Sequence, residues 1–167
     1  MQTYVVDIAG EPVTLPIVPI NQRLAISLLM VIDMGVHFGE RIGKALAARL
    51  GPLKPDIVVG AATLGIPVVI EVSRALRLDQ YVIAQKSPKI HLADALVQQV
   101  QSVTSAGKQR LMLDRRAVPL LAGRRVAVVD DVVATGSSLA ATLALVRARP
   151  RSRPGCPASP RRLRCPA

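Results

Sequence analysis

Residues 126–138 read VAVVDDVVATGSS, and they are the most informative stretch of this 167-residue chain. Four apolar residues open the stretch, a short continuous run typical of a strand buried on both faces of a parallel sheet. Two adjacent carboxylates follow, Asp130 and Asp131, and then two valines and a small polar loop. Residues 139–146 are rich in Ala and Leu and contain no Gly or Pro, which predicts a helix after the loop.

The loop between this strand and this helix has the chemistry of a phosphate site. Its members are Ala134, Thr135, Gly136, Ser137 and Ser138. A loop that enters a helix presents unpaired backbone N–H groups and the positive end of the helix dipole, and both favour an anion. Carboxylates do not bind phosphate, so we expect Asp130 and Asp131 to accept hydrogen bonds from sugar hydroxyls, with a metal ion close by. A sugar phosphate is the ligand that fits both halves.

This stretch resembles the 5-phosphoribosyl-1-pyrophosphate (PRPP) signature of the type I phosphoribosyltransferases. In that signature an apolar strand precedes two acidic residues, two apolar residues and a short Ala/Thr/Gly/Ser loop, and the match here is continuous over thirteen residues. The alternative is an ordinary strand–turn–helix unit whose carboxylates cap the turn. A Walker loop is excluded because G-K-S/T is absent, and a dinucleotide fingerprint because G-x-G-x-x-G is absent.

A second strand–loop–helix unit is predicted upstream. Residues 56–63 (DIVVGAAT) predict a strand and residues 66–76 predict a helix, with Ala61, Ala62, Thr63, Leu64 and Gly65 as the loop. By its position the loop resembles the pyrophosphate-binding loop of the family, whereas on its own the segment is an ordinary βα unit. Adenine-type members often carry Arg before the glycine, and this chain has Leu64 there.

A basic segment follows the third predicted strand, residues 80–85 (QYVIAQ). The spacing of Lys86, Lys89 and His91 resembles the R-K-x-x-K-x-H motif of the orotate branch and the R-K-x-x-K motif of the adenine branch. Gln85 stands where Arg is usual. Two ammonium groups three residues apart are suited to neutralise a pyrophosphate leaving group. The alternative is a solvated basic turn with His91 on the surface.

The amino-terminal part predicts strands at residues 3–9 and 13–20, and the resemblance makes this region a small hood over the base. Prolines at positions 16 and 19 predict that the second strand is an edge strand. Residues 24–32 are apolar and fit a strand or a helix equally well. Residues 36–50 predict a helix that ends before Gly51 and Pro52.

The segment between the basic residues and the main motif is polar over residues 93–107 and ends in Ser-Ala-Gly. The resemblance implies that it is a mobile loop that closes over the site and excludes water. Residues 109–114 (QRLMLD) predict the strand that returns from this loop.

The composition predicts one α/β domain with an aliphatic core. Half of the residues are hydrophobic, but the aromatic residues are only Tyr4, Phe38 and Tyr81, and valine-rich runs alternate with Ala/Leu helices. No run reaches the roughly eighteen apolar residues of a membrane span. The first basic residue is Arg23, so no signal peptide is visible and the expected location is cytoplasmic.

Residues 147–167 differ from the domain predicted at residues 1–146. They hold seven of the 22 basic residues and none of the 11 acidic ones, which leaves a net charge of +4 on the domain. The tail has five prolines and almost no large apolar residue, so we predict that it is disordered. Family members continue here with a further β segment, and our hypothesis is a shifted reading frame or a truncation, which resequencing of the coding DNA would test. Without interleaved aromatics the tail does not predict nucleic-acid binding.

The resemblance covers residues 35–146 and implies an α/β fold, a Rossmann-like parallel sheet flanked by helices, with the ligand at the carboxyl ends of the strands. It implies a Mg²⁺-dependent, homodimeric enzyme that transfers ribose 5-phosphate from PRPP to a nucleobase and releases pyrophosphate. Asp130 and Asp131 would bind the ribose hydroxyls and Mg²⁺, and the loop from Ala134 to Ser138 would bind the 5′-phosphate. Lys86 and Lys89 would assist the departure of pyrophosphate, which residues 62–65 would cradle.

The sequence favours a purine, adenine first, because Ala134 occupies a position where hypoxanthine–guanine enzymes usually have an acidic residue. Orotate is the second candidate, because the K-x-x-K-x-H spacing includes His91. A non-catalytic PRPP-sensing regulator is the candidate from another class, since Leu64 and Gln85 depart from the enzymes' pattern. The sequence shows no DNA-binding domain that would support the regulator.

Overall fold

Strands and helices alternate along the chain, as expected for an α/β protein. The computed structural model describes residues 2–88, 94–100 and 109–148. The strands are β1 (Thr3–Ile8), β2 (Glu11–Asn21), β3 (Leu24–Ser27), β4 (Ile57–Ala61), β5 (Tyr81–Ala84), β6 (Ala95–Val100), β7 (Gln109–Asp114) and β8 (Val126–Val128). The helices are α1 (Gly35–Leu50), α2 (Gly65–Ala75), α3 (Val118–Leu121) and α4 (Ser137–Arg147). Short 3₁₀ turns lie at Val31–Asp33, Gly51–Leu53 and Arg115–Ala117.

A parallel sheet in the order β5-β4-β8 is the centre of the fold. Every residue of β4 is buried, as expected of a valine-rich central strand covered on both faces. Because the three strands run in the same direction, the residues that follow them meet at one edge of the sheet. The predicted parallel sheet flanked by helices is confirmed.

Strand β8 is shorter and less buried than its apolar run predicted. The strand ends at Val128, and the N–H of Val129 still donates to the Val59 carbonyl at 2.9 Å. Ala127 and Val129 are buried, whereas Val126 and Val128 are half-buried. The physical reason is that, within the described residues, β8 pairs with a neighbour on one side only.

Two aliphatic clusters cover the two faces of the sheet. Alternate residues of β4 point to opposite faces, so Val59 joins a cluster with β7 and α4, and Val58 joins a cluster with α1, α2 and the amino-terminal strands. Phe38 on α1 is the sole aromatic side chain among the buried core residues that the structure describes. The predicted aliphatic core is confirmed.

The amino-terminal strands β1, β2 and β3 form a separate antiparallel sheet, which we call the hood. The prediction that the second strand is an edge strand is wrong, because β2 lies in the middle. Its first half pairs with β1 up to Pro16, and its second half pairs with β3 from Ile17 onward. Each half therefore has a partner on one side, and this arrangement accommodates the prolines.

The polar segment before the main motif contains a strand that sequence reasoning missed. Ala95–Val100 forms β6, which pairs antiparallel with β7 from Ala95↔Asp114 to Val100↔Gln109. Gln85 and Met112 exchange two backbone hydrogen bonds of 2.8 Å, which join this hairpin to the end of β5. Residues 95–100 are thus a strand and not a loop, while closure of this segment over the site stays a prediction, and residues 93 and 101–107 lie outside the described residues. The predicted return strand at residues 109–114 is confirmed.

The helices agree with the sequence to within two residues. The helix predicted at 36–50 is α1, the one at 66–76 is α2 and the one at 139–146 is α4. The ambiguous segment 24–32 holds β3 and the start of a 3₁₀ turn. Among the residues that the structure describes, no helix has both the length and the apolar character needed to cross a membrane. The tail from residue 149 onward, for which disorder was predicted, lies outside the described residues.

Candidate active site

The acidic pair lies at the carboxyl end of β8, at the edge where the three parallel strands end. The Val129–Val59 hydrogen bond continues the strand pairing to the residue before Asp130. Both carboxylates are half-buried, and the backbone N–H of Asp131 donates to Oδ1 of Asp130 at 3.1 Å. Two adjacent acids are thus held in fixed positions at the place where open α/β sheets bind ligands.

The electrostatics of Asp130 are unusual for a carboxylate. Burial, and then the neighbouring Asp131, raise the pKa of Asp130 from its ordinary 3.8 to about 6. The positive charge of Lys86 acts in the opposite direction and lowers this pKa. The charge of Lys86, which follows β5, therefore acts on Asp130, which lies after β8.

The loop after β4 contacts the acidic pair directly. A Cβ atom added at Gly65 would lie 2.9 Å from Oδ1 of Asp130, so only a glycine permits this approach without movement. Ala62 is buried and its N–H donates to the Ala84 carbonyl at 2.8 Å, which fixes the loop to β5. Thr63 is exposed and Leu64 is half-buried at the start of α2, where no side chain caps the helix.

The loop before α4 combines a left-handed glycine with two neighbouring hydroxyl groups. Gly136 has φ +76°, a left-handed conformation that favours glycine, and a Cβ at this position would meet nothing within 4 Å. The hydroxyls of Thr135 and Ser137 lie 2.9 Å apart, and the N–H of Ser137 points to the Thr135 hydroxyl at 3.4 Å. Ala134 is exposed, Ser138 is half-buried, and no side chain caps α4. Hydroxyls and helix-terminal N–H groups are thus present together at the start of the helix.

The basic segment is described only in part. Lys86 is exposed and follows Gln85, whose backbone is fixed by Met112. Lys89 and His91, which the sequence also proposed, lie outside the described residues. The structure describes predicted site residues in three places: the loop after β4, Lys86 after β5, and the residues after β8. These three groups meet at one edge of the sheet.

A cavity of about 560 Å³ opens beside the acidic pair. Asp130 and Asp131 line one part of it, and the turn between β1 and β2, residues 7–10, lines another. Apolar residues of α1, among them Phe38 and Ile42, form much of the remaining wall. Sequence reasoning placed a hood over the base but singled out none of these wall residues, although the D-I-A-G stretch after β1 is a turn signal.

The donor set suits a magnesium ion that binds together with its substrate. Within the described residues no three His, Cys, Asp or Glu side chains are grouped closely enough to hold a metal. Magnesium usually keeps several waters and binds one or two carboxylates plus substrate phosphates, so it needs no such cage. The pair Asp130 and Asp131 fits that mode.

Several solved structures share this fold at low sequence identity. The adenine phosphoribosyltransferase of Thermoanaerobacter pseudethanolicus is 22% identical with a TM-score of 0.66, covering 79% of this chain and 74% of that chain. The Saccharomyces cerevisiae enzyme, complexed with an imino-altritol bisphosphate and adenine, is 23% identical with a TM-score of 0.65, covering 79% and 75%. The Giardia lamblia enzyme, complexed with 9-deazaadenine, is 19% identical with a TM-score of 0.62, covering 79% and 71%.

The sequence matches none of the curated proteins with which it was compared. A family model, the phosphoribosyl transferase domain, matches residues 37–151, which is most of the chain and nearly the range of the resemblance. That match includes the strand, the acidic pair and the loop of the main motif. The chain therefore belongs to the phosphoribosyl transferase domain family.

Proposed function

We propose that this protein transfers ribose 5-phosphate from PRPP to a nucleobase, adenine first, and releases pyrophosphate. One observation supports the proposal above the others. The acidic pair after β8 is followed by an anion cradle and touches the glycine of the loop after β4. A sugar bearing a 5′-phosphate on one side and a pyrophosphate on the other matches this order of donors and acceptors.

Each group would have a defined task. The carboxylates of Asp130 and Asp131 accept hydrogen bonds from the ribose hydroxyls, and residues 134–138 donate to the 5′-phosphate. Backbone N–H groups of residues 63–65 in the loop after β4, together with the ammonium of Lys86, face the pyrophosphate, whereas the N–H of Ala62 already donates to the Ala84 carbonyl. Lys89 has the same role by sequence alone. These assignments pair acceptors with donors, since the carboxylates face the ribose hydroxyls and the N–H and ammonium groups face the phosphate oxyanions.

The reaction breaks the bond between the anomeric carbon and a pyrophosphate oxygen, and it forms a bond from that carbon to a base nitrogen, which loses its proton. Positive charge develops on the ribose ring in the transition state, and the carboxylates are placed to stabilise it. Lys86 neutralises charge on the leaving group. Asp130 and Asp131 would hold a Mg²⁺ ion that binds together with PRPP, and the ion would neutralise part of the charge of the leaving pyrophosphate.

Adenine is the first candidate base for two reasons. Ala134 occupies the position at which the sequence resembles the adenine branch, and the solved structures reported above are adenine phosphoribosyltransferases. The cavity beside the acidic pair is largely apolar, which suits a planar base. Orotate is the second candidate, on the spacing of Lys86, Lys89 and His91.

The test is the release of pyrophosphate from PRPP and Mg²⁺ with adenine, hypoxanthine, guanine, xanthine and orotate in turn. We expect turnover with adenine, and its loss in Asp131→Asn. The matched control is Asp79→Asn, an exposed acid between α2 and β5, which should leave the rate unchanged. PRPP binding without turnover would support the regulator instead, and full turnover by Asp131→Asn would refute the role of the acidic pair.

A further inference from the structure

The turn of the hood forms part of the cavity wall, so its position decides the shape of the cavity. Ala9 and Gly10 are the two residues of a tight hairpin loop, with φ values of +55° and +86°. Oδ1 of Asp7 accepts a hydrogen bond of 3.1 Å from the N–H of Gly10. The conformation of the turn is therefore fixed by its own residues. Its distance from α1 depends on other contacts.

One charged side chain links this turn to α1. Arg41 on α1 donates from Nη1 to Oε2 of Glu11, the first residue after the turn. The guanidinium carbon of Arg41 also lies 5.2 Å from the centre of the Phe38 ring, a cation–π contact one helical turn away. Phe38 lines the cavity. Arg41 thus connects two parts of the wall, the hood turn and the helix.

The environment of Arg41 separates this ion pair from ordinary surface pairs. Its side chain is 24% exposed, against 60% for Glu11. Its Nε is buried and has no hydrogen-bond partner within the described part of the chain. An unpaired buried donor is unfavourable, and the long arginine side chain is able to reach water instead. The other hood contacts in this region are aliphatic, through Val13 and Leu15, and such contacts are non-directional. The ion pair is the directional contact that fixes the turn.

We propose that Arg41 is a positioning residue for the acceptor base. By holding Glu11 it keeps the hood turn at a set distance from α1, and so it shapes the wall of the cavity beside Asp130 and Asp131. The inference rests on the proposed function, because it takes the cavity as the place where the base binds. Within the described residues, no hydrogen bond or ion pair joins Arg41 to the acidic pair or to the phosphate loops. Its loss should therefore weaken binding of the base and leave binding of PRPP unchanged.

The experiment compares Arg41→Met, which keeps the length of the stem, with Lys44→Met, which removes an exposed cation three residues along the same helix. In Arg41→Met the KM for the base should rise about tenfold, because misplacing a wall by a fraction of an ångström weakens binding at that wall. The kcat and the KM for PRPP should stay within about twofold, as should every constant of Lys44→Met. Glu11→Ala removes the ion pair and leaves the cation–π contact with Phe38, so it should raise the KM for the base in the same direction. The double variant should be no worse than Arg41→Met alone, since the ion pair is already lost in that variant.

Backbone hydrogen exchange gives a second readout that needs no turnover. Amides of the hood turn should exchange faster in Arg41→Met than in wild type, and those of β4 should not change. If Arg41→Met does not fold, Glu11→Ala tests the loss of the ion pair at an exposed position. If the wild type turns over and these variants keep its KM for the base, the inference about Arg41 is overturned and the proposed function is not. A wild type that releases no pyrophosphate would overturn the proposed function and, with it, the acceptor role of the turn.

Discussion

Replacing Asp130 by Asn should stabilise the folded protein at neutral pH while it removes activity. The carboxylate is half-buried beside a second carboxylate, and burial first and Asp131 second raise its pKa to about 6. At neutral pH the folded state must hold this group charged, in a place that disfavours the charge. Asn has the same shape, keeps an oxygen for the N–H of Asp131 and carries no charge.

The size of the effect follows from the pKa. The difference between 3.8 and about 6 corresponds to about 3 kcal/mol at 1.36 kcal/mol per pH unit. Asp130 is partly open to solvent, and screening reduces that figure, so we expect a gain of about 1 kcal/mol in the free energy of unfolding at pH 7.5. Wild type and Asp130→Asn should converge below about pH 4, where the carboxyl group is neutral in the folded and unfolded states.

The sign of the pH dependence is fixed by proton linkage. Between the unfolded pKa of 3.8 and the folded pKa of about 6, the folded state binds more protons than the unfolded state. The contribution of this group to stability is therefore fully present below pH 3.8 and is lost as the pH rises through about 6. Urea unfolding of both proteins from pH 4 to pH 8, without PRPP or Mg²⁺, measures the difference.

Asp56 provides the control of opposite sign. Its hydrogen bonds with Arg125 lower its pKa to about 2, so its contribution is present above pH 3.8 and is lost as the pH falls through about 2. Asp56→Asn should therefore lower stability at pH 7.5, where Asp130→Asn raises it. An Asp130→Asn protein that is no more stable than wild type at pH 7.5, or a difference that does not shrink toward pH 4, would mean that the charged Asp130 carboxylate does not destabilise the fold.

Two pairs of glycine variants test the packing and the phosphate loop. Gly43→Ala should lower the free energy of unfolding by about 2 kcal/mol in urea titration, because its Cβ would lie 2.5 Å from Cβ of Glu71 and 2.8 Å from the backbone carbon of that residue. Gly39→Ala on the same helix face, with its Cβ 3.6 Å from Cγ of Glu71, should be neutral or slightly stabilising, and equal losses in the two would contradict this packing. Gly136→Ala and Gly123→Ala place alanine at φ +76° and +71° and should each cost about 1 kcal/mol of stability. By calorimetry only Gly136→Ala should weaken PRPP binding, by about tenfold, and an equal loss in Gly123→Ala would mean that the effect is not local to the cradle.

Local patterns were sufficient to predict the central sheet. The valine runs before Gly60 and Asp130 specified β4 and β8, because a short apolar run followed by a small polar loop has few other uses. The parallel pairing then brought their carboxyl ends together, so the contact of Gly65 with Asp130 was implied although 65 residues separate them. The parallel pairing alone therefore places these two loops side by side, whatever the packing of their side chains.

The features that sequence reasoning missed depend on pairing between distant segments. Nothing within β2 shows that its two halves have different partners, and its prolines gave the wrong position in the hood. Residues 95–100 (ALVQQV) lie in a mostly polar segment, and they become a strand because β7 is available beside them. The contact of Arg41 with Glu11 spans 30 residues and depends on the hood lying against α1, which no local pattern encodes.

The position of the acidic pair also bears on the alternative in which its carboxylates merely cap a turn. A capping carboxylate accepts hydrogen bonds from the N–H groups at the start of a helix. Helix α4 starts at Ser137 after Gly136 and has no side-chain cap, and Oδ1 of Asp130 accepts from its own neighbour, Asp131. Within the described residues neither Asp130 nor Asp131 forms an ion pair, whereas Asp56 of the same domain pairs with Arg125. Holding two adjacent carboxylates half-buried, with no ion pair to either of them within the described residues, lowers stability, and folding alone gives no reason for it. A ligand that supplies hydroxyl donors and a cation to this edge of the sheet does.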